Sequence, residues 1–495
     1  MIKKTFDKSL SFIRENKILS FCFLVVYIYF ILQHCWALGW DFAAYVINAR
    51  YFFNKGDYLE VARAPLMSLL LAGSVLFGKI GEYFYITFAS LLFFFANFKL
   101  SSLLYSKFFY KYEIDKKYFN LVFFIFSLTP FVLSYGLIEG TELLGLAFFE
   151  IFLFYFIENR YFGHFLGLAV LTRYNFLVFF PFIFINRDYK KILKNLLLFI
   201  LILSPWMIFN YIKWGNFFMS IIESYNLNIL TRLPLMKPFN YHDLFLSINF
   251  LIIFLIFGLV YIFLNFTMKE KIKARVFYDI LFLVISFIFL WDYFVTPFKI
   301  PRYLFNLSLP LAYFSTTGFL IFLKFFYKYK NKILFGIFIF WLILIFSITY
   351  HNFILRGYDD MYSQSAKVIL DKDLKECYVA SHHWVPLNYY TNNAYSLWKT
   401  PQEVINIKGI VVIFPQDLTV GDSFTLESIK DLPVLESNMR YIILAHPDLT
   451  SENCAKRFPY DVPAVKDPCR IISKRFQSIK INNIVEKGCL FFNKV

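Results

Sequence analysis

Asp41, Arg63, Glu139, Glu142, Arg173, His242, Asp243, Lys299 and Arg302 have side chains suited to chemistry on a charged substrate, and each stands at or near the end of a long apolar run. A carboxylate at such a boundary can take a proton from a hydroxyl group, and a guanidinium can grip a phosphate through two parallel hydrogen bonds. The densest stretch is Gly39-Trp40-Asp41-Phe42-Ala43-Ala44-Tyr45-Val46-Ile47-Asn48-Ala49-Arg50, followed by Arg63-Ala64-Pro65-Leu66. Asp41 should face an aqueous or interfacial cavity rather than hydrocarbon, with aromatic neighbours restricting water around it. Each residue also has an ordinary reading. Asp41 would be a solvated loop acid, Glu142 a helix cap, Arg63 and Arg302 side chains reaching for lipid headgroups, and His242 a loop residue in water. Their convergence at one depth favours a site, and a sugar joined to an anionic lipid headgroup is the substrate such a rim suits.

Composition says what must position these groups. Of the 495 residues 59% are hydrophobic and 22% aromatic, with a mean hydropathy of +0.56. No single soluble core absorbs that much apolar surface, so the chain reads as a mainly α, polytopic membrane protein. The net charge of +16 would suit nucleic acid, but its placement argues against that partner. Residues 1–351 carry 33 Lys and Arg against 18 Asp and Glu, whereas residues 352–495 carry 17 against 16. The excess lies in loops between apolar runs, as in membrane proteins whose cytoplasmic loops are basic.

In chain order, Lys3, Lys4, Lys8, Arg14 and Lys17 precede a spanning run at 18–38, which places the amino terminus in the cytoplasm. Bulky Trp36 argues against a cleaved signal peptide. Two amphipathic pieces, 42–54 and 65–78, lie on the outer surface within a first external loop at 39–81. Further spans follow at 82–105, 118–138, 142–158, 195–212, 246–267, 276–295, 303–323 and 333–351. Residues 163–185 read as a short hairpin turning at Thr172-Arg173-Tyr174-Asn175, which lifts Arg173 to the outer rim. The total is about eleven spans, with every dense Lys/Arg cluster on one side. From residue 352 the chain becomes a small external α/β domain, with strand-like runs at Gly409–Phe414 and Tyr441–Leu444. Cys377, Cys454, Cys469 and Cys489 fall there. One or two disulfides are expected with the pairing open, and no metal-binding spacing is found.

At the rim residues the chain resembles the GT-C superfamily of integral-membrane glycosyltransferases, in the branch of protein O-mannosyltransferases and aminoarabinose lipid A transferases. The matches are an acid after the first span (Asp41), Ala49-Arg50, Gly56, Pro65-Leu66, Leu171-Thr172-Arg173, Pro205-Trp206 with Gly215 to Phe218 beyond, and Arg302-Tyr303 with Pro310. They cover roughly residues 18–325. Phe42 stands where many relatives carry a second acid, and Glu142 or Glu139 stands where a later external Asp is common. The Trp-Trp-Asp-type signature of the oligosaccharyltransferase branch is missing.

The resemblance implies inverting transfer of one sugar from a polyprenyl (dolichyl-type) phosphate, dolichyl phosphate mannose being one such donor, to a protein, glycan or lipid acceptor on the outer face. It implies Asp41 as general base with Glu142 as a second catalytic acid. Arg63, Arg173, Arg302 and Lys299 would hold the donor phosphate, and Glu139, His242, Asp243 and Tyr303 would contact acceptor or sugar. Asp41 and Glu142 would also suit a hard divalent cation, but the branch works largely without one, so no cofactor is expected. A flippase or transporter for a lipid-linked sugar is the alternative. It should carry ionisable residues at mid-membrane and interrupted helices in paired halves, whereas this chain reads with its charges at the rims. A structural scaffold would need neither so many spans nor Asp41. His382-His383-Trp384, Tyr389-Tyr390 and Trp398 would suit a sugar platform, but with aromatic residues abundant throughout, a packed core or membrane-resting surface is the favoured reading.

Overall fold

The computed structural model describes residues 11, 13–109, 115–185, 188–267, 273–355, 361–397, 400–418 and 429–456. Seven helices among them are long and apolar enough to cross a membrane: Lys17–Trp36, Lys79–Phe109, Tyr189–Trp214, Tyr241–Leu264, Val276–Val295, Pro301–Phe325 and Tyr327–His351. The chain is a polytopic, mainly helical membrane protein. The expected count of about eleven is not confirmed, since the remaining apolar runs among the described residues are shorter or broken. Residues 118–138 form two helices, Lys116–Ser127 and Pro130–Tyr135. Pro130 cannot donate a hydrogen bond into a continuous helix, Thr129 caps the second piece, and the indole N–H of Trp341 takes up the Leu128 carbonyl at 3.2 Å. Glu142–Ile157 has only 16 residues, and the run from Gly163 breaks at Arg173 into an α-helix, Gly163–Thr172, and a 3-10 helix, Tyr174–Ile185.

Pro301–Phe325 is the central helix. Of its apolar stretch 94% is buried, against 17% for Tyr327–His351, which turns its side chains outward. Close approach of backbones holds it there. A Cβ on Gly258 would meet the Phe314 carbonyl oxygen at 2.1 Å, and one on Gly318 would meet that of Phe254 at 1.9 Å. Between helices in lipid, where apolar burial gives little drive, such small residues let dispersion contacts form.

The charges are not confined to the rims. Glu150 lies midway along Glu142–Ile157, fully buried, with its carboxyl accepting a 3.1 Å bond from the Asn97 amide, and Asp279 is buried against the Tyr313 hydroxyl at 2.6 Å. The sequence-based expectation missed both because each acid is isolated inside an apolar run.

At the end of the helical bundle that holds Asp41 sits a five-stranded sheet with flanking helices. The strands are β1 (Val379–Ser381), β2 (Ala394–Ser396), β3 (Ile410–Ile413), β4 (Val434–Ser437) and β5 (Ile442–Ala445), in the order β2-β1-β3-β5-β4. β1 runs parallel to β2 and β3, while β5 runs antiparallel to β3 and β4. β3 and β5 are the two expected strands, and their alternate residues enter two cores on opposite faces. Cys377 and Cys454 form a disulfide. Cys469, Cys489 and Trp398 lie outside the described residues.

Candidate active site

Asp41 occupies the first turn of the Trp40–Phe52 helix, where the helix's free N–H groups favour a carboxylate. That end of the helix is approached so closely by the chain at residues 138–139 that a Cβ on Gly39 would lie 1.9 Å from the Ile138 carbonyl oxygen. The approach sets the Glu139 carboxylate to accept the Asp41 backbone N–H at 2.9 Å. Asp41 itself is gripped from two sides, by Arg63 at 2.8 Å and by Arg302 at 2.6 Å, and Arg302 also reaches Glu139 at 3.5 Å. All of these side chains are 14–21% exposed, largely but not wholly out of water.

Arg173 lies at the break between its two helices and forms a short ion pair with Glu142, with a second contact to the Thr141 hydroxyl at 3.4 Å. The charge of Arg173 opposes that of Arg302 across the site, and Glu142 attracts Arg302. Asp41, Arg63, Glu139, Glu142, Arg173 and Arg302 thus come together from five separate parts of the chain. The Tyr303 ring lies 5.9 Å from the Arg302 guanidinium.

Two members were missed in the sequence. Glu60 pairs with Arg63 at 2.6 Å, and the Tyr45 ring sits 5.1 Å beneath the Arg63 guanidinium. Spacing carries the signal for both: Glu60 precedes Arg63 by three residues, and Tyr45 follows Asp41 by four on one helix face. The Pro205-Trp206 motif acts behind the site. The Trp206 indole donates at 2.8 Å to the Tyr174 hydroxyl and to Ser220, and Tyr174 approaches the Arg63 carbonyl at 3.4 Å.

Three expected site residues have other surroundings. The Lys299 ammonium donates to the carbonyls of Tyr293, Phe294 and Thr296 at 2.5–2.8 Å. It closes the end of the Lys273–Val295 helix, where a cation satisfies orphan carbonyls. Asp243 is buried between the Tyr293 hydroxyl at 2.7 Å and the Asn240 amide at 2.9 Å, and His242 is exposed at the start of its helix. In the carboxyl-terminal domain, His383 sits between Tyr362 and Asp417, and Trp384 packs on Tyr58. His383 and Trp384 of the sugar-platform candidates are thus engaged in packing.

Electrostatics separates the two rim acids. Burial raises the Asp41 carboxyl, but Arg63 and Arg302 overcome it and hold the group well below the usual range. Glu139 is pushed up to about 7 by burial and by the negative charge of Asp41, which the pull of Arg302 only partly offsets. Among the described residues no group of three or more His, Cys, Asp or Glu side chains is arranged to hold a metal ion.

The Glu139 shift has a consequence for stability. Between the ordinary value of 4.5 and about 7 the folded chain keeps a proton that the unfolded chain releases, so stability falls as pH rises through that window. The contribution is at most about 3 kcal/mol. The thermal midpoint in detergent should be lower at pH 8 than at pH 5, and Glu139→Gln should shrink that difference. An equal difference in both proteins would remove the assignment.

No family pattern matches the chain, and no curated protein matches it. Among solved structures, ArnT from Cupriavidus metallidurans bound to undecaprenyl phosphate superposes with a TM-score of 0.60 at 11% identity, covering 88% of this chain and 99% of that one. The apo state of the same protein gives 0.58 at 11% identity over 89% and 98%. The chain has the ArnT fold. ArnT is an aminoarabinose lipid A transferase of the GT-C type, so the fold is the one that the sequence resemblance implies.

Proposed function

We propose that the chain is a membrane glycosyltransferase that moves one sugar from a polyprenyl-phosphate donor to a hydroxyl acceptor on the outer face, with inversion. The observation that carries the reading is a carboxylate, Asp41, held between two guanidinium groups at the rim of an ArnT fold. The undecaprenyl phosphate bound in the ArnT neighbour is a polyprenyl phosphate, which supports that carrier class.

The charge balance supplies a mechanism. Each of the three guanidiniums is already paired with a carboxylate, so an arriving phosphate competes with Asp41, Glu60 and Glu142 for Arg63, Arg173 and Arg302. As the phosphate takes up Arg63 and Arg302, Asp41 loses the partners that keep it a weak base. Donor binding thereby switches on the base. The acceptor hydroxyl gives its proton to Asp41 as its oxygen bonds to the anomeric carbon, and the bond from that carbon to phosphate breaks with its electron pair on phosphate. The arginines stabilise the departing polyprenyl phosphate. Glu142 holds Arg173 in place and is the second catalytic acid of this reading. Tyr303, Glu139, His242 and Asp243 remain candidates for acceptor or sugar contact. Glu139 is the best placed of these, and Lys299 would reach phosphate only by releasing its helix end. No metal is invoked.

The transporter alternative gains little from Glu150, which is sealed and bonded to Asn97. The test is release of polyprenyl phosphate from a panel of polyprenyl-phosphate-linked sugars by the purified protein. Stoichiometric sugar transfer supports the reading, whereas movement of donor across a vesicle bilayer without cleavage would replace it. A companion prediction places Asp41 and the carboxyl-terminal domain together on the non-cytoplasmic side. A membrane-impermeant thiol reagent should label a cysteine introduced near residue 440 in intact cells and miss one near 330; the reverse pattern would invert the topology.

A further inference from the structure

The stretch from His383 to Asn392 in the carboxyl-terminal domain touches the Asp41 helix at both ends. At the start, the Trp40 ring meets the His383 ring edge-on at 6.0 Å, one residue from Asp41. At the end, the Arg50 guanidinium donates to the Asn388 carbonyl at 3.4 Å and lies 5.4 Å from the Tyr389 ring. Just beyond, the Asn392 amide donates to the Lys55 carbonyl at 2.9 Å, and Trp384 packs on Tyr58 at 4.5 Å.

The stretch is itself anchored in the helical bundle. The Tyr389 hydroxyl donates to buried Glu82 at 2.8 Å; Glu82 pairs with His34 at 2.7 Å, and the His34 ring packs on Phe42, the neighbour of Asp41. The Trp40–Phe52 helix has 13 residues, too short to hold its place by helical propensity, so tertiary contacts fix where Asp41 sits. Gly56 serves the same contact: a Cβ there would meet the Arg50 Cβ at 3.2 Å and the Asn392 side-chain oxygen at 3.3 Å.

We propose that the carboxyl-terminal domain is the positioning element of the Asp41 helix, and that Arg50 is the positioning residue through which it acts. The inference rests on the glycosyltransferase reading for its effect on rate, and on geometry for its effect on the helix. Misplacement by a fraction of an ångström is costly when a base must meet a hydroxyl and an anomeric carbon together.

The test measures turnover, donor KM and amide exchange in Arg50→Ala. Turnover should fall about tenfold to 100-fold with donor KM changed less than about twofold, because Arg50 lies outside the phosphate site. Exchange across residues 43–52 should accelerate. In the same background, Lys55→Cys and Asn392→Cys joined by a short bismaleimide should restore turnover, each single cysteine serving as control. Should Arg50→Ala fail to fold, Asn392→Gly, which removes the amide's bond to Lys55 and tolerates the left-handed backbone at that position, should give a smaller fall in turnover at constant KM. Unchanged turnover and exchange, or a loss that the tether does not rescue, would overturn the proposal. Failure of the glycosyltransferase reading looks different: the wild type would not transfer sugar, yet Arg50→Ala would still loosen the helix.

Discussion

Asp41→Asn should lower sugar transfer by a factor of about 100 to 10,000, the usual share of general-base catalysis, while the protein still binds donor lipid. The amide keeps the shape of the side chain and can still accept a hydrogen bond from Arg63 or Arg302, so the rim should hold together. It cannot take the acceptor's proton. Donor binding should be equal or tighter, since the variant removes a carboxylate that competes with phosphate for two guanidiniums. A fall in turnover with unweakened donor binding distinguishes a base from a residue that merely orders the arginines. Loss of Asp41 as an arginine anchor alone would instead weaken donor binding. A metal ligand would show as wild-type activity abolished by chelator, or as variant activity restored by excess divalent cation. Near-wild-type turnover would remove Asp41 from the chemistry.

The sequence made the membrane architecture legible because apolar runs and basic clusters are dense signals. Where a run broke at Pro130, local chemistry overrode the hydropathy pattern, whereas the break at Arg173 falls at the turn expected from the sequence. Asp41, Arg63, Glu142, Arg173 and Arg302 were legible as a set because each falls at a run's end, and ends of spans share a depth. Lys299 shows the limit of that logic. It also falls at a run's end, but the carbonyls it closes are its own helix's, three to six residues back, and a cation at a helix terminus is as readable from sequence as a phosphate ligand. Asp243 is similar, with Asn240 three residues before it at a helix start. The contact from Tyr389 to Glu82 spans 307 residues and joins two parts that nothing local relates. No periodicity reports on such a pair, which is why the role of the carboxyl-terminal domain emerges only from the structure.

Arg302→Ala should be the most damaging single change at the phosphate site. Among the described residues Arg302 is the one guanidinium that touches both rim acids, Asp41 at 2.6 Å and Glu139 at 3.5 Å, and it enters the site from the first turn of the most buried of the seven spanning helices. Arg63 is shared with Glu60, and Arg173 is committed to Glu142. When phosphate displaces Asp41 from Arg63 and Arg302, Arg63 keeps Glu60 and Arg173 keeps Glu142, so Arg302 has the most charge left to give to the phosphate. Removing one side of a charge-assisted pair that is largely out of water costs on the order of 2 to 5 kcal/mol, which corresponds to a donor-lipid KM raised by roughly 30-fold or more. Acceptor KM should move far less. Arg302→Lys restores the charge but not the planar fork that reaches two oxygens, so it should recover only part of the loss. Donor KM measured in Arg302→Ala, Arg302→Lys and Arg63→Ala decides the assignment. An unchanged donor KM in Arg302→Ala, with the loss appearing in Arg63→Ala instead, would transfer the phosphate site to Arg63 and leave Arg302 as the residue that holds Asp41 against Glu139.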